Sequence, residues 1–305
     1  MRARGSEAAF PVLAAVLTLV GLLGLPGAHD AAAQPAVSGG ADSGLQRLDS
    51  WARGRGWEGV GLLDIEGRAS CTGVLIRADL VLTAAHCLLD PATGRRADPR
   101  RVEFLAGWRH GRAVARRRGR QAVVHPEFDA SAGPSARAVR HDVALLRLES
   151  PIPPSHAGAF RAGGAVRAGE TVSVVSYGEG RRDAPVRQRS CRVLDSGSGL
   201  LALSCDVVRG SSGAPVFALR QGRAWIVSLI SSAGEIDGGR LSFGMDISGP
   251  LEELLEDLRS GRGVFPEAPA AARRLRAGEN GGGAGFRRLR AGEGRASSGA
   301  RFLKP

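Results

Sequence analysis

Short apolar runs separated by turn-forming residues dominate the central part of the chain, between residues 57 and 250. The runs are rich in valine, leucine and isoleucine, whereas glycine, proline, aspartate and serine cluster between them. Short β-prone runs at this spacing are typical of an all-β sandwich or barrel. We therefore predict strands at Gly59–Ile65, Gly73–Ile76, Leu80–Thr83, Val102–Ala106, Ala122–Val124, Val143–Leu148, Val172–Tyr177, Gly199–Cys205, Ala214–Leu219 and Ala224–Ser231.

Helical periodicity is clear only near the end of this region. Pro250 suits the first turn of a helix. It precedes leucines at a spacing that places them on one helix face, with acidic residues between them. The pattern predicts a single amphipathic helix near the end of the domain, whose buried face contains Leu251, Leu254, Leu255 and Leu258.

The first 33 residues have the parts of a secretory signal peptide. Two arginines precede an apolar run from Ala8 to Leu25, and three small residues, Ala31–Ala33, follow it. This order predicts cleavage before Gln34 and a secreted or periplasmic protein. A retained anchor is the alternative, because the apolar run reaches the ~18 residues of a transmembrane span. Residues 34–56 are small, polar and glycine-rich, which predicts a linker or pro-segment.

The last segment, residues 261–305, differs in composition from the rest of the chain. Its sequence Arg273–Glu279 recurs unchanged as Arg287–Glu293, with a glycine-rich interval between the copies. Nine arginines and one lysine against three glutamates give the segment +7 of the net charge of +12. With so few apolar residues it is predicted to be disordered. It either tethers the protein to an anionic envelope polymer or is a solvated tail without a partner.

Arginine supplies nearly all of the positive charge, since Lys304 is the one lysine of the sequence. Such a bias is typical of GC-rich coding, so the charge alone does not predict a nucleic-acid partner. A second basic run, Arg95–Arg120, is predicted to be an exposed loop.

Four cysteines form an even set in a chain with an export signal, which favours disulfides over metal ligation. Cys191 and Cys205 are symmetric about Ser198, which lies in a run of serine and glycine. A turn there would set the two cysteines opposite each other on a hairpin. We therefore predict a bridge between them.

Three motifs carry candidate chemistry, in the order histidine, aspartate, serine. They are Thr83–Cys87 with His86, His141–Leu148 with Asp142, and Gly210–Pro215 with Ser212. A nucleophilic hydroxyl, an imidazole that takes its proton and a carboxylate that orients the imidazole are the parts of a Ser-His-Asp triad. The order along the chain is that of the chymotrypsin arrangement.

From roughly Trp57 to Leu258 the sequence resembles the trypsin-like serine peptidases. The resemblance implies an all-β, chymotrypsin-like fold of two six-stranded antiparallel barrels with a C-terminal helix, within a domain at residues 57–260. It also implies a Cys71–Cys87 bridge beside the histidine. Protein or peptide substrates, a monomer and the absence of a metal or organic cofactor are further expectations.

The same resemblance assigns roles at the site. Ser212 would be the nucleophile, His86 the general base and acid, and Asp142 the residue that orients His86. The backbone N–H groups of Gly210 and Ser212 would form the oxyanion hole. Two other serines lie in similar triplets, but Ser43 falls in the N-terminal linker and Ser196 at the predicted hairpin turn.

The chain departs from the most familiar family pattern at Ser211, where an aspartate usually accepts the new N-terminus after zymogen cleavage. The usual Arg-Ile-Val-Gly-Gly cleavage sequence is absent before Trp57 as well. Both departures indicate the bacterial trypsin-like and glutamyl-endopeptidase-like subgroup, in which the oxyanion hole is held by other means.

Specificity has two open interpretations. Asp206 lies six residues before Ser212, where trypsin-like enzymes place the acid that binds arginine or lysine at P1. Alternatively, Asp206 is a structural residue that points elsewhere. When the sequence is aligned with the family without gaps, the substrate-binding edge falls at Ser228, followed by the bulky Leu229 and Ile230. Val227 then stands where glutamyl-specific members have histidine.

Two functions follow from these observations. The first is an exported serine endopeptidase that forms an acyl-enzyme. The alternative is a catalytically silent trypsin-like binding domain, anchored through its arginine-rich tail. Two further histidines are assigned no catalytic role. His125 belongs to a segment that resembles a structural surface segment of the family. His141 is next to Asp142, and on a strand the two side chains would point to opposite faces.

Overall fold

A computed structural model describes residues 44–266, apart from residues 68, 91–92, 134 and 237–238. The predicted signal peptide and the repeated arginine-rich sequences lie outside the described residues. All described residues belong to one unit. Two α-helices are described, α1 (Ala136–His141) and α2 (Ser248–Ser260). The strands are β1 (Leu45–Arg47), β2 (Val60–Ile65), β3 (Ala69–Arg77), β4 (Leu80–Thr83), β5 (Val102–Ala106), β6 (Ala115–Val124), β7 (Ala144–Leu148), β8 (Arg161–Ala162), β9 (Thr171–Ser176), β10 (Val186–Gly197), β11 (Leu200–Leu203), β12 (Pro215–Arg220), β13 (Arg223–Ile236) and β14 (Gly239–Met245).

The first barrel is built from six antiparallel strands in the order β2–β3–β4–β7–β6–β5. Pairing of β2 with β5, with Gly61 opposite Ala106, closes it. Its interior is filled by apolar side chains that alternate along the strands, among them Leu63, Leu75 and Phe104.

The second barrel has the order β9–β10–β11–β14–β13–β12, and pairing of β12 with β9 closes it at Val216 and Val174. Strand β1 adds to β10, and the short β8 runs parallel to β13. Helix α2 follows, with three of its four predicted leucines buried and Gly261 in the left-handed conformation at its end. The predicted fold class is confirmed.

The folded domain extends past both predicted boundaries. Strand β1 lies in the segment 34–56 that was interpreted as a linker or pro-segment, and Leu48 after it is buried. At the other end, Phe265 exchanges backbone hydrogen bonds with Ala122 of β6, at 2.7 and 2.9 Å. Residues 261–266 of the predicted tail therefore pack on the first barrel.

The basic run Arg95–Arg120 is only partly the loop that was predicted, because β6 begins at Ala115. Ala115 and Gly119 are buried, whereas Arg116 and Arg118 between them are exposed. The side chains of β6 alternate between the barrel interior and solvent. The inward residues Ala115 and Gly119 are small, so the sequence shows no apolar run there.

A junction of large side chains joins the two barrels. Trp57, Phe160 and Phe217 lie with ring centroids 4.8 to 5.8 Å apart. The fully buried Tyr177 donates its hydroxyl to the carbonyl of Trp108 at 3.0 Å. Within residues 44–266, no described helix is long and apolar enough to span a membrane.

Both expected disulfides are present, Cys71–Cys87 and Cys191–Cys205. The second lies on the β10–β11 hairpin, whose turn residues Ser198 and Gly199 both have positive φ. Two left-handed residues are the signature of a tight hairpin turn.

Candidate active site

His86 follows β4 directly, in a short 3-10 helix, Ala85–Leu88. The Cys71–Cys87 disulfide ties the residue after it to β3. Ala85 and Cys87 are buried, whereas the imidazole side chain is 37% exposed. The backbone is therefore fixed from both sides while the ring stays accessible.

Asp142 caps the C-terminal end of α1, and its carboxylate is 3% exposed. One oxygen accepts the backbone N–H of His86 at 2.9 Å. The other lies 2.7 Å from His86 Nδ1 and accepts the hydroxyl of Ser231 at 2.6 Å. These bonds offset the cost of burying a charge. An ionised carboxylate only accepts hydrogen bonds, so Nδ1 carries the proton and Nε2 of the neutral ring is free to act as a base.

The pKa of His86 follows from two opposing effects. Burial of the imidazole lowers it, but the hydrogen bond and the charge of Asp142 raise it and prevail. The pKa of His86 therefore lies above its usual range. A base of this kind is neutral at mildly alkaline pH and holds a proton well once it has taken one.

The loop that carries Ser212 packs closely against Thr72 of β3 and against Ala84, which precedes His86. The Ser212 carbonyl accepts from Thr72 N–H at 2.8 Å. Gly213 has φ of +75°, and a Cβ there would lie 2.9 Å from the backbone nitrogen of Ala84. Glycine is therefore required for this close approach. In the described part of the chain, no hydrogen bond joins the Ser212 hydroxyl to His86.

The backbone N–H groups of Gly210 and Ser212 have no acceptor among the described residues, and neither has that of Arg209 before them. The N–H groups that alternate with those of Gly210 and Ser212 are paired: Ser211 N–H donates to Val208 at 2.9 Å and Gly213 N–H to Ile230 at 2.7 Å. The loop therefore presents two free N–H groups on either side of Ser211, as binding of a substrate oxygen would require.

Ser211 anchors the same loop through neutral hydrogen bonds. Its side chain is buried, and its hydroxyl lies 3.2 Å from the carbonyl of Tyr177 and 3.3 Å from the hydroxyl of Ser176. It also accepts the N–H of Val208 at 3.3 Å. A neutral hydroxyl thus makes these hydrogen bonds at position 211, where the most familiar family pattern has an aspartate.

A sequence model of the trypsin-like peptidase domain matches residues 71–225, half of the chain. The chain belongs to the trypsin-like peptidase family. Human kallikrein-10 is 37% identical over 84 residues, which are 27% of this chain and 28% of the kallikrein. A solved structure of a Glu endopeptidase in complex with MPD superposes with a TM-score of 0.55 at 17% identity, covering 72% of this chain and 96% of that one. At that identity the second likeness concerns the fold alone.

Asp206, the candidate acid for binding arginine or lysine at P1, makes two contacts with other residues of this chain. Its carboxylate lies 3.5 Å from the guanidinium of Arg181, whose side chain is 17% exposed. Its N–H donates to the Gln188 side chain at 2.7 Å. These contacts favour the interpretation of Asp206 as a structural residue over that of a free carboxylate for a basic P1 side chain.

Ser228 does not line the site. It is fully buried, and its hydroxyl contacts the carbonyl of Leu229. The serine that reaches Asp142 is Ser231, three residues later on β13. Strand β13 has two irregularities of register, one against β12 opposite Val216/Phe217 and one against β14 between Ile230 and Ser232. Each irregularity shifts which side chains face the cleft.

Leu229 and Ile230 do not obstruct the cleft either, since both are buried in the barrel and paired with neighbouring strands. Two cavities adjoin the site instead. One of about 230 Å³ touches His86, Phe128 and Ser231, and one of about 480 Å³ is largely apolar. The larger is lined by Val139, Leu200, Leu201, Ser232, Gly234 and Phe243, among others.

Potential metal ligands gather at one place in the described part of the chain, where Cys71, His86 and Cys87 lie together. Both sulfurs belong to the disulfide. They offer no thiolate, the form that binds a metal.

Proposed function

We propose that the protein is an exported serine endopeptidase with Ser212 as nucleophile, His86 as general base and acid, and Asp142 as the residue that orients His86. The observation that carries this proposal is the buried Asp142 carboxylate, which bonds both the backbone and the ring of His86. The Ser212 loop packs against the same segment, which supports the assignment of the nucleophile.

The chemistry follows from these positions. The Ser212 oxygen attacks the scissile carbonyl carbon, and its proton passes to His86 Nε2. The tetrahedral intermediate collapses as His86 gives that proton to the leaving amine, which leaves an ester on Ser212. Water then attacks the ester with the same proton transfers and releases the acid. The N–H groups of Gly210 and Ser212 stabilise the oxyanion, each contributing about 2.7–4 kcal/mol.

Substrate backbone would add along the outer edge of β13. At Ser232–Gly234 this strand pairs with β14 on one side, and no strand pairs with the other side among the described residues. Extended peptides bind such edges by strand addition. The two cavities beside this edge would take substrate side chains.

For P1, the geometry favours a residue other than arginine or lysine, since the Arg181 guanidinium lies 3.5 Å from the Asp206 carboxylate and would repel a second cation there. With Ser231 as the serine beside Asp142, the residue before it is Ile230. The histidine of glutamyl-specific members is therefore missing in this alignment too, and we propose an uncharged P1 side chain.

Export is supported by the two disulfides, which persist in oxidising compartments. N-terminal sequencing of the protein recovered outside the cytoplasm should begin at Gln34. The arginine-rich tail would bind an anionic envelope polymer, and such binding should weaken steeply as salt is raised. Binding that is insensitive to salt would contradict this role.

The deciding experiment is fluorophosphonate labelling of the full chain. Wild type should be labelled, and Ser212→Ala should not. Ser196→Ala is the matched control, because Ser196 lies in a similar Asp-Ser-Gly triplet and should label as wild type does. A folded wild type that resists labelling would contradict the proposal and favour a binding domain.

A further inference from the structure

Two histidines without an assigned role stack beside Asp142. His141 ends α1 directly before Asp142, and His125 directly follows β6. Their ring centroids are 4.8 Å apart and the rings are inclined by 16°. The His125 side chain is 2% exposed and that of His141 13%. His141 is thus on a helix rather than on the strand that was predicted, and its ring packs inward.

His125 is attached to both flanks of Asp142. Its ring stacks on His141, the residue before Asp142, and its N–H donates to the carbonyl of Val143, the residue after it, at 3.1 Å. No side chain of α1 is fully buried. The stack is therefore one of the contacts that hold the end of this six-residue helix, beside the hydrogen bonds of the Asp142 carboxylate.

The charged groups that face the pair come from three elements. His125 Nδ1 accepts the N–H of Glu127 at 3.3 Å, and Nε2 lies 3.2 Å from the Glu253 carboxylate on α2. His141 Nε2 lies 3.6 Å from the Glu127 carboxylate, which is also 3.5 Å from Arg137 of α1.

Hydrogen bonding leaves one atom of the pair unaccounted for. His125 Nε2 faces the Glu253 carboxylate at 3.2 Å, whereas the buried His141 Nδ1 has no hydrogen-bond partner in the described structure. Buried polar atoms of this kind are uncommon and call for a functional or structural reason.

We propose that His125 is a positioning residue for Asp142, acting through His141, and that protonation of His125 disturbs Asp142 and lowers turnover. This inference rests on the proposed function, because it assigns Asp142 a part in catalysis. The His125 side chain is 2% exposed, and a charge on it would be costly to bury, so protonation would loosen its stack on His141 at the end of α1.

The two sites titrate in a fixed order. Burial, and then the charge of His141, hold the pKa of His125 below its usual range against the opposing charges of Glu253 and Glu127. The pKa of His86 lies above its usual range. As pH falls, His86 is protonated first and His125 afterwards. The logarithm of kcat/KM should therefore fall with a slope of about one, then steepen towards about two.

The test uses the full chain and three variants. His125→Ala removes the stack and should lower kcat by roughly 10- to 100-fold with KM little changed, because misplacing a catalytic group by an ångström costs on the order of 100-fold. His125→Phe keeps a stacking ring and should retain most of kcat but lose the steeper acid limb. His156→Ala, at an exposed loop histidine, is the matched control and should behave as wild type.

Fluorophosphonate labelling of wild type separates the two possible failures. If wild type is not labelled at Ser212, the proposed function fails and this inference with it. If wild type is labelled but His125→Ala matches His156→Ala in kcat, the inference alone is overturned. Should His125→Ala not fold, His125→Phe decides, since a retained steep acid limb would show that His125 is not the titrating group and would overturn the inference.

Discussion

The two barrels hold their halves of the candidate site by different physical means. On the first barrel, His86 and Asp142 are fixed by a disulfide and by hydrogen bonds to a buried charge. On the second, the Ser212 loop is fixed by glycine contacts and by the neutral hydroxyl of Ser211. A buried charge that loses a hydrogen-bond partner costs more free energy than a buried neutral hydroxyl that loses one. The half of the site on the first barrel should therefore be the more sensitive to substitution and to pH.

The largest expected effect tests the charged half. Asp142→Asn keeps the shape of the side chain but can stabilise the wrong imidazole tautomer, and we expect kcat to fall by about 10⁴-fold. Steady-state kinetics on a peptide substrate measures it. Asp49→Asn, at a carboxylate that pairs with Arg53 near the start of the domain, is the control and should leave kcat unchanged. A loss of less than tenfold in Asp142→Asn would contradict the role of Asp142.

Removal of each disulfide compares the barrels directly. The two bridges span 16 and 14 residues, so each removal should cost about 3 kcal/mol of unfolding free energy. The double variant Cys71→Ala/Cys87→Ala should also lower kcat in the folded protein, because Cys87 adjoins His86. Cys191→Ala/Cys205→Ala should lose stability alone. Denaturant titration measures the unfolding free energy, and kinetics at denaturant concentrations below the unfolding transition measure kcat. Equal losses of kcat in the two double variants would contradict this difference between the barrels.

Ser211→Ala tests the neutral half. It leaves the half-buried Val208 N–H without its acceptor, which should cost about 1 kcal/mol of stability. No charge is left unpaired, so the pH profile of kcat/KM should stay that of wild type. A shifted profile would mean that the second half is also coupled to a titrating group.

Asp206→Ser sharpens the account of specificity. If Asp206 serves to hold Arg181, the P1 profile from a peptide library should be unchanged, while turnover falls modestly as the loop loosens. Asp183→Ser removes a more exposed carboxylate and is the control. Selective loss of arginine and lysine substrates would instead show that Asp206 forms the base of the P1 pocket.

The smallest effect is on stability as a function of pH. Folding raises the pKa of His86, so protonated His86 stabilises the fold. This contribution is present below the unfolded pKa of about 6.5 and is lost as pH rises through the folded-state value. Activity has the opposite dependence, since it needs the neutral ring. Thermal melting of His86→Ala alongside wild type, from pH 5 to 9, should show a difference that shrinks with rising pH.

Much of the site could be predicted because its chemistry lies in contiguous motifs. His86, Asp142 and Ser212 each sit in a short sequence whose small and apolar neighbours are recognisable without the fold. The Cys191–Cys205 pair was predictable for a similar reason, since a hairpin is a local structure.

Residues brought in by distant strands were missed. Ser231 was confused with Ser228, since its contact with Asp142 joins residues that are far apart in the chain. The pairing of Arg181 with Asp206 depends on two loops of the second barrel that meet only in the fold. Strand β10 is missing from the strands predicted from apolar runs because its polar and arginine residues interrupt the apolar pattern, and only the hairpin prediction placed Cys191 on a strand.

By itself, the sequence determined the all-β class, the Cys191–Cys205 bridge and the three residues that we propose for catalysis, because these depend on local patterns and on residue type. The tertiary structure alone decided which serine supports Asp142, which cation meets Asp206 and which histidine stacks behind the site. These contacts join residues far apart in the chain. Their partners are chosen by strand register and barrel closure, which no local pattern encodes.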